Sequence, residues 1–332
     1  MWKKIVLAIP ALLLVFLNHQ TSFAQVDVSG FFDVQYAKPS DQQDVFSGFQ
    51  YGQFEIDLSA RANRRITMEG ALALNQNEQK FEPGFGYLQL DLSPRARERG
   101  ARSSGGYLRE FGVQLGQFNV PFGLDYQVIP SIDRSLVHAP LMNRRTIDSW
   151  NSIGVNAYAR SEQWSLVGFV VNGLTGGYTA GGRIGLKPGP NMELGFSYAR
   201  GMTLRDGLQT TEVVGADIRG VARQFTWKGE ALFSRGLLNG EPSADPMDAH
   251  WGFYLHGKYD ILTFHRLPLF LVGRYGRWMP MDGFKDRLNL SPEQDLTIGL
   301  GANVAYQSQI RLEYQANFQD PGALTFQFVV GF

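Results

Sequence analysis

From Val26 to Phe332, apolar and polar residues alternate one by one in short runs that stop and restart along the whole chain. A period of two is the period of a β-strand, whose successive side chains point to opposite faces. In "QFEIDLSAR" (53–61), Phe54, Ile56, Leu58 and Ala60 share one face, and Gln53, Glu55, Asp57, Ser59 and Arg61 the other. "NMELGFSYAR" (191–200), "IRLEYQANF" (310–318) and "LTFQFVVGF" (324–332) behave alike. The pattern predicts about 16 strands and no domain of another class.

A soluble sandwich would also alternate. Three features argue instead for a closed transmembrane barrel. Polar faces carry charged and amide residues in strand after strand. Apolar faces are rich in Phe, Tyr, Trp, Leu and Gly, with aromatics near strand ends, like the girdles of outer-membrane barrels. The connections also alternate in length. "ANR" (62–64), "SEQ" (161–163), "GP" (189–190) and "QS" (307–308) are short and follow even-numbered strands. The links after odd-numbered strands are mostly longer, at 38–48, 75–84, 120–150, 203–210, 237–249 and 280–294. With both termini in the periplasm, the long links are extracellular. "SPRARERGARSSGGY" (93–107) is long and basic on the other side, and the link near 174–178 is short.

The first residues read as a secretory leader. Lys3 and Lys4 precede an apolar core from Ile5 to Leu17, and Ser22-Phe23-Ala24 supplies small residues for cleavage. The expected layout is a signal peptide over 1–24 and a barrel over 25–332. No later segment has 18 continuous apolar residues, so a membrane location requires a barrel. The formal net charge is zero and Cys is absent. No basic excess points to nucleic acid, and there is neither a disulfide framework nor a thiolate metal site. A barrel this wide encloses water. The expectation is a porin: a channel for passive diffusion of small polar or anionic solutes in the outer membrane of a Gram-negative bacterium. Lipid and lipopolysaccharide are its surroundings. The alternative is an adhesive or structural barrel with a plugged lumen, binding partners through outer loops.

One interruption stands out. In "GQFNVPFGLDYQ" (116–127), Pro121 removes a backbone donor and Gly123 loosens the chain. No strand pattern returns until Asn151. Pro121, Phe122 and Gly123 thus open the third long loop, which is expected to fold inward and constrict the channel. Its apolar Ile129, Ile132, Leu136, Val137 and Leu141 would pack on the inner wall. Arg134, Arg144 and Arg145, with Asp133 and Asp148, would stand at the narrowing. On this view, removing Arg144 and Arg145 shifts the pore toward cations. The competing view has Asp133 and Asp148 pair with these arginines and pin the loop.

"VQLGQFNVPFGLDYQ" (113–127), "PSIDRS" (130–135), "NSIGVNAY" (151–158) and "GFVVNGL" (168–174) resemble the phosphate-selective porin O/P family, as do "VVGADIRG" (213–220) and "WKGEALFSRG" (227–236). The resemblance is strongest over 110–240. It implies a 16-stranded, often trimeric, passive channel with an inward third loop. Phe332 resembles the terminal signal read by the outer-membrane assembly machinery. No phosphate-binding residue carries over, since no position here matches such a motif.

Strand parity points Glu55, Asp57 and Glu110 into the lumen from the first five strands. From later strands it sends Arg160, Arg183, Arg219, Lys228, Lys258, Arg274 and Arg311 inward. Acidic and basic walls would then face each other and set up a transverse field. The competing expectation is that neighbouring pairs cancel locally. His138, His250, His256 and His265 lack metal spacing, and no Gly-x-Ser-x-Gly is present. The chain reads as a non-enzyme with no cofactor.

Overall fold

A computed structural model describes residues 26–39, 48–75, 80–93, 109–127, 130–173, 176–203, 209–243, 245–264, 267–305, 307–317 and 322–332. The expected leader, the basic link at 93–107 beyond Ser93, and Ile129 lie outside the described residues.

Sixteen antiparallel strands close into one barrel. In chain order they are β1 (Val26–Pro39), β2 (Gly48–Arg61), β3 (Ile66–Asn75), β4 (Lys80–Asp91), β5 (Glu110–Asn119), β6 (Asn151–Arg160), β7 (Trp164–Asn172) and β8 (Tyr178–Gly189). They continue as β9 (Met192–Thr203), β10 (Gln209–Ala222), β11 (Phe225–Arg235), β12 (Ala249–Phe264), β13 (Leu267–Pro280), β14 (Glu293–Ala305), β15 (Ser308–Asn317) and β16 (Ala323–Gly331). Each pairs with its chain neighbours, and β1 pairs with β16 from Phe31↔Gly331 to Pro39↔Ala323. Closure leaves no edge strand with unpaired backbone groups, the condition for crossing a bilayer with strands.

Outside and inside differ as the alternation requires. Leu115, Ile153, Phe196, Leu255 and Ile298 are among the many large apolar side chains exposed on the outer face. Arg183, Glu193, Asp217, Arg274, Arg311 and Glu313 are buried on the inner face. Exposed leucine beside buried arginine inverts the soluble pattern, and lipid outside with polar groups inside accounts for it.

Two departures from sequence periodicity have local causes. The predicted fourth strand began near residue 85, but β4 starts at Lys80. A register shift between Ala71 and Leu72 absorbs Pro83 and Gly84, which hide the alternation. The link after β11 holds a small hairpin, Leu237–Leu238 paired with Glu241–Pro242. Its turn residue Asn239 and Gly240 both have positive φ, the turn chemistry of tight hairpins.

Candidate functional site

The chain between β5 and β6 is built to stay against the wall. Phe122 N donates to Val120 O at 2.8 Å across Pro121, a three-residue turn that reverses the strand. Val120 N donates to Trp150 O at 2.7 Å and closes the base of the segment. Gly123 has φ 56°, and a Cβ there would collide with the Glu230 carboxylate. The left-handed backbone and the close Glu230 carboxylate both favour glycine here. Its N–H donates to Ser197 Oγ at 3.0 Å. Further on comes the α-helix α1 (Leu141–Thr146), six residues long after Pro140.

Apolar packing holds one end. Phe122, Tyr126, Met142, Ile147 and Trp150 form a cluster with Phe169, Val171, Ala199, Val213 and Leu232 of the barrel. Trp150 is the hub, with ring centroids 5.5 Å from Phe122, 5.9 Å from Tyr126 and 6.1 Å from Phe169. Each such side chain taken from water contributes about 1.5–3 kcal/mol. Leu136 packs separately on Phe270 and Val272, and Leu141 on Trp278 and Phe284. The inner wall therefore carries an apolar landing patch on β7, β9, β10 and β11. Val213 shares its face with the inward Arg219, and Ala199 with Ser197, so alternation alone marks them as polar-face positions.

Charged and amide side chains hold the other end. Arg311 Nη1 donates to Ser131 O at 2.8 Å, and Arg274 Nη1 to His138 O at 2.7 Å. Glu313 accepts from Val137 N at 2.6 Å and meets His138 Nδ1 at 2.5 Å. Ser131 N donates to Gln53 Oε1 at 2.7 Å. Lys228 Nζ lies 2.6 Å from Asp125 Oδ1. Burial raises the Asp125 carboxyl, but Lys228, with the Tyr254 hydroxyl and Arg274, outweighs it and holds the group below its ordinary value. Ser135 Oγ and His256 Nε2 are 3.0 Å apart.

A cavity of about 500 Å³ opens beside this segment. Arg134, Asp133 and Asp148 line it with Lys228, Lys258 and Arg274. Burial lowers the Arg134 guanidinium below its usual value. Its Nε is buried without a partner, and Nη2 reaches Gln53 Oε1 at 3.4 Å. Arg144 and Arg145 lie on α1, away from that lining. Arg145 Nε donates to Glu293 Oε2 at 3.1 Å, with its guanidinium 5.5 Å above the Trp278 ring. Arg144 lies 4.0 Å from Asp295. The ion pairs of these two arginines thus go to β14, not to Asp133 or Asp148. The end of α1 is also tied to the small hairpin: Asn239 N donates to Arg145 O at 2.9 Å, and Gly240 N to Thr146 O at 2.7 Å.

A second cavity, of about 340 Å³, includes Arg160, Arg183 and Arg219 in its wall. Here the charges pair along the sheet. Arg183 bonds Asp217 through Nη2 at 2.6 Å and Glu193 through Nη1 at 3.0 Å, and Arg219 meets Glu193 at 2.6 Å. Arg160 and Glu110, 3.6 Å apart, are both largely exposed. Glu55 and Asp57, two residues apart on β2, interact with each other through their carboxyl groups. Phe332 pairs its backbone with Gly30 in both directions, at 3.0 and 3.2 Å.

The anchors Gln53, Ser197, Glu313, Glu293 and Asp295 were not singled out as functional from the sequence. Parity placed Gln53, Ser197 and Glu313 on the polar face, but nothing local tells an anchoring side chain from a solvated one. No group of three or more His, Cys, Asp or Glu side chains able to hold a metal occurs among the described residues.

Solved structures share this fold. An anion-selective porin from Comamonas acidovorans superposes with TM-score 0.67 at 11% identity, over 93% of this chain and all of that one. The fold is that of the outer-membrane porins. The outer membrane channel DcaP of Acinetobacter baumannii gives 0.64 at 12% identity, covering 94% and 99% of the two chains. A loop-deletion mutant of OmpT of Vibrio cholerae gives 0.64 at 10%, covering 93% and 99%. No protein-family model matches the sequence, and no curated protein matches it. At such identities the porin likeness concerns the fold, and it does not single out the phosphate-selective O/P family.

Proposed function

We propose that this protein is an outer-membrane porin, a water-filled channel for passive diffusion of small polar or anionic solutes. Residues 120–150 are its third extracellular loop, folded inward as the constriction. One observation carries the reading. The loop is anchored from Gln53 on β2 through Ser197 on β9 to Glu313 on β15, while a charged cavity stays open beside it. A segment tied to so much of the wall narrows a lumen, because it has no slack to leave it.

Arg134 with Asp133 and Asp148 forms the charged part of the constriction. The cavity sets Arg134, Lys228, Lys258 and Arg274 against Asp125, Asp133 and Asp148, a small positive excess that favours anions over cations of equal size. Arg144 and Arg145 shape the narrowing from α1. Membership of the phosphate-selective O/P family rests on the motifs within 110–240. Residues 1–24 serve as the leader, Phe332 is read by the assembly machinery, and the barrel works as a homotrimer.

Planar-bilayer recording tests the channel. Discrete ohmic conductance steps are expected, with a reversal potential under a salt gradient that favours anions. No conductance from folded protein would instead support the plugged adhesive barrel. Phosphate as a competitor decides the family reading, and N-terminal sequencing of the mature protein decides the leader.

A further inference from the structure

The second cavity differs in chemistry from the one beside the loop. Side chains of β4, β5 and β6 form a hydrogen-bonded ladder along one side. Asn156 Nδ2 donates to Gln114 Oε1 at 2.8 Å, Gln114 Nε2 to Gln89 Oε1 at 3.0 Å, and Gln89 Nε2 to the Tyr158 hydroxyl at 3.1 Å. All four line the cavity, as do Arg183, Glu193 and Arg219. Within that second group the charges pair off. Arg183 and Arg219 carry two positive charges, and Glu193 and Asp217, bonded to them, carry two negative ones. Arg160 and Lys187 line the cavity as well, so its charged side keeps a positive excess, whereas the amide ladder is uncharged and holds many polar atoms at fixed positions.

A primary amide can make four hydrogen bonds, two as donor and two as acceptor. The ladder takes one of each from Gln89 and Gln114, and one donor from Asn156. What remains on each is a donor beside an acceptor, repeated from strand to strand at about 4.8 Å. A hydroxyl group also donates and accepts. A chain or ring of neighbouring hydroxyls therefore matches this surface, whereas an anion satisfies only its donors and a cation only its acceptors. The cavity volume, about 340 Å³, lies within the usual range for small-molecule sites. Pro121 and Gln127 also line it, so a solute held there touches the constriction loop.

We propose that this cavity is a binding subsite for neutral polyhydroxylated solutes of mono- to disaccharide size, read by the amide ladder of Gln89, Gln114 and Asn156. The proposal rests on the channel reading. Binding there makes the flux of such solutes saturable, while the flux of a solute without the hydroxyl pattern follows its concentration.

The test is single-channel recording in KCl with sucrose added, against a polyethylene glycol of equal hydrodynamic radius. Sucrose is expected to block current along a saturating curve, and the polymer along a linear one. Gln114→Met with Asn156→Leu, which keeps volume and removes the amides, should raise the half-saturating sucrose concentration at least about tenfold. If that pair does not fold, as judged by heat-modifiable gel migration, Gln114→Met alone should raise it several-fold. A linear sucrose curve in the wild type, or wild-type half-saturation in the folded variants, overturns the subsite. Absence of any KCl conductance overturns the channel reading itself, and the subsite with it.

Discussion

Two stretches of the inner wall use the same residue types for different purposes. On β8 to β10, Arg183, Arg219, Glu193 and Asp217 pair with one another, strand to strand. On β11 to β15, Lys228, Arg274, Arg311 and Glu313 reach the loop instead, with carbonyls, an amide and a carboxylate of residues 120–150 as partners. The first stretch is complete without the loop, and the second is complete only with it. A charge on a barrel wall thus has no fixed meaning. Its role follows from whether an opposite charge lies one strand away or a loop lies above it.

The sharpest way to break the comparison is to remove one anchor from each stretch. Glu313→Ala deletes the acceptor of the Val137 amide and the partner of His138. Breaking a buried, hydrogen-bonded charge costs about 3–5 kcal/mol. The loop should loosen, conductance should rise about twofold or more, and current noise should grow. Glu193→Ala also breaks a buried site, but its lost bonds are within the wall. It should lower the thermal midpoint while the channel keeps its size, with anion preference increased by the freed arginines. Equal conductance changes in the two variants would erase the distinction.

The apolar part of the anchoring comes next. Phe122→Ala leaves a hole in the cluster around Trp150, at about 3–5 kcal/mol for a buried aromatic. Most of that loss should appear in the loop. Limited proteolysis within 120–150 should speed up, with little change in whole-barrel unfolding.

Arg144 and Arg145 separate selectivity from pinning. Arg145 bonds Glu293 and covers Trp278, so Arg145→Ala should give a noisier pore with wild-type reversal potential. Arg144 has a looser partner at 4.0 Å, so Arg144→Ala should move the reversal potential slightly toward cations. Opposite results for the two residues would exchange their roles.

The smallest effect concerns pH. The folded state of Asp125 ionises below its ordinary range, beside Lys228. A depressed carboxylate contributes stability that is fully present above the unfolded value, about 3.9, and lost as pH falls through the lower folded value. Loop-dependent noise should therefore stay flat from neutral pH down to about 4 and rise only below that. Asp125→Asn should show the acid behaviour at neutral pH. Noise rising already near pH 6 would assign the transition to another group.

Much of the architecture was readable along the chain. Alternation is a local property, written in neighbours such as Phe54, Glu55 and Ile56, so strand number and facing could be had without knowing any partner. Pro121 and Gly123 likewise announce the end of β5 by their own backbone restrictions. Lys80 to Gly84 escaped notice because a bulge hides the period there. What no stretch of sequence could supply was partnership. Arg145 meets Glu293 across 148 positions, and Arg311 meets Ser131 across 180. The apolar patch of Phe169, Val171 and Val213 acquires its purpose only when Phe122 and Trp150 lie on it. Local chemistry determined that this chain is a barrel with a long third loop. Only closure of the sheet, which brings distant strands to one lumen, decided which charges hold that loop and which face the water.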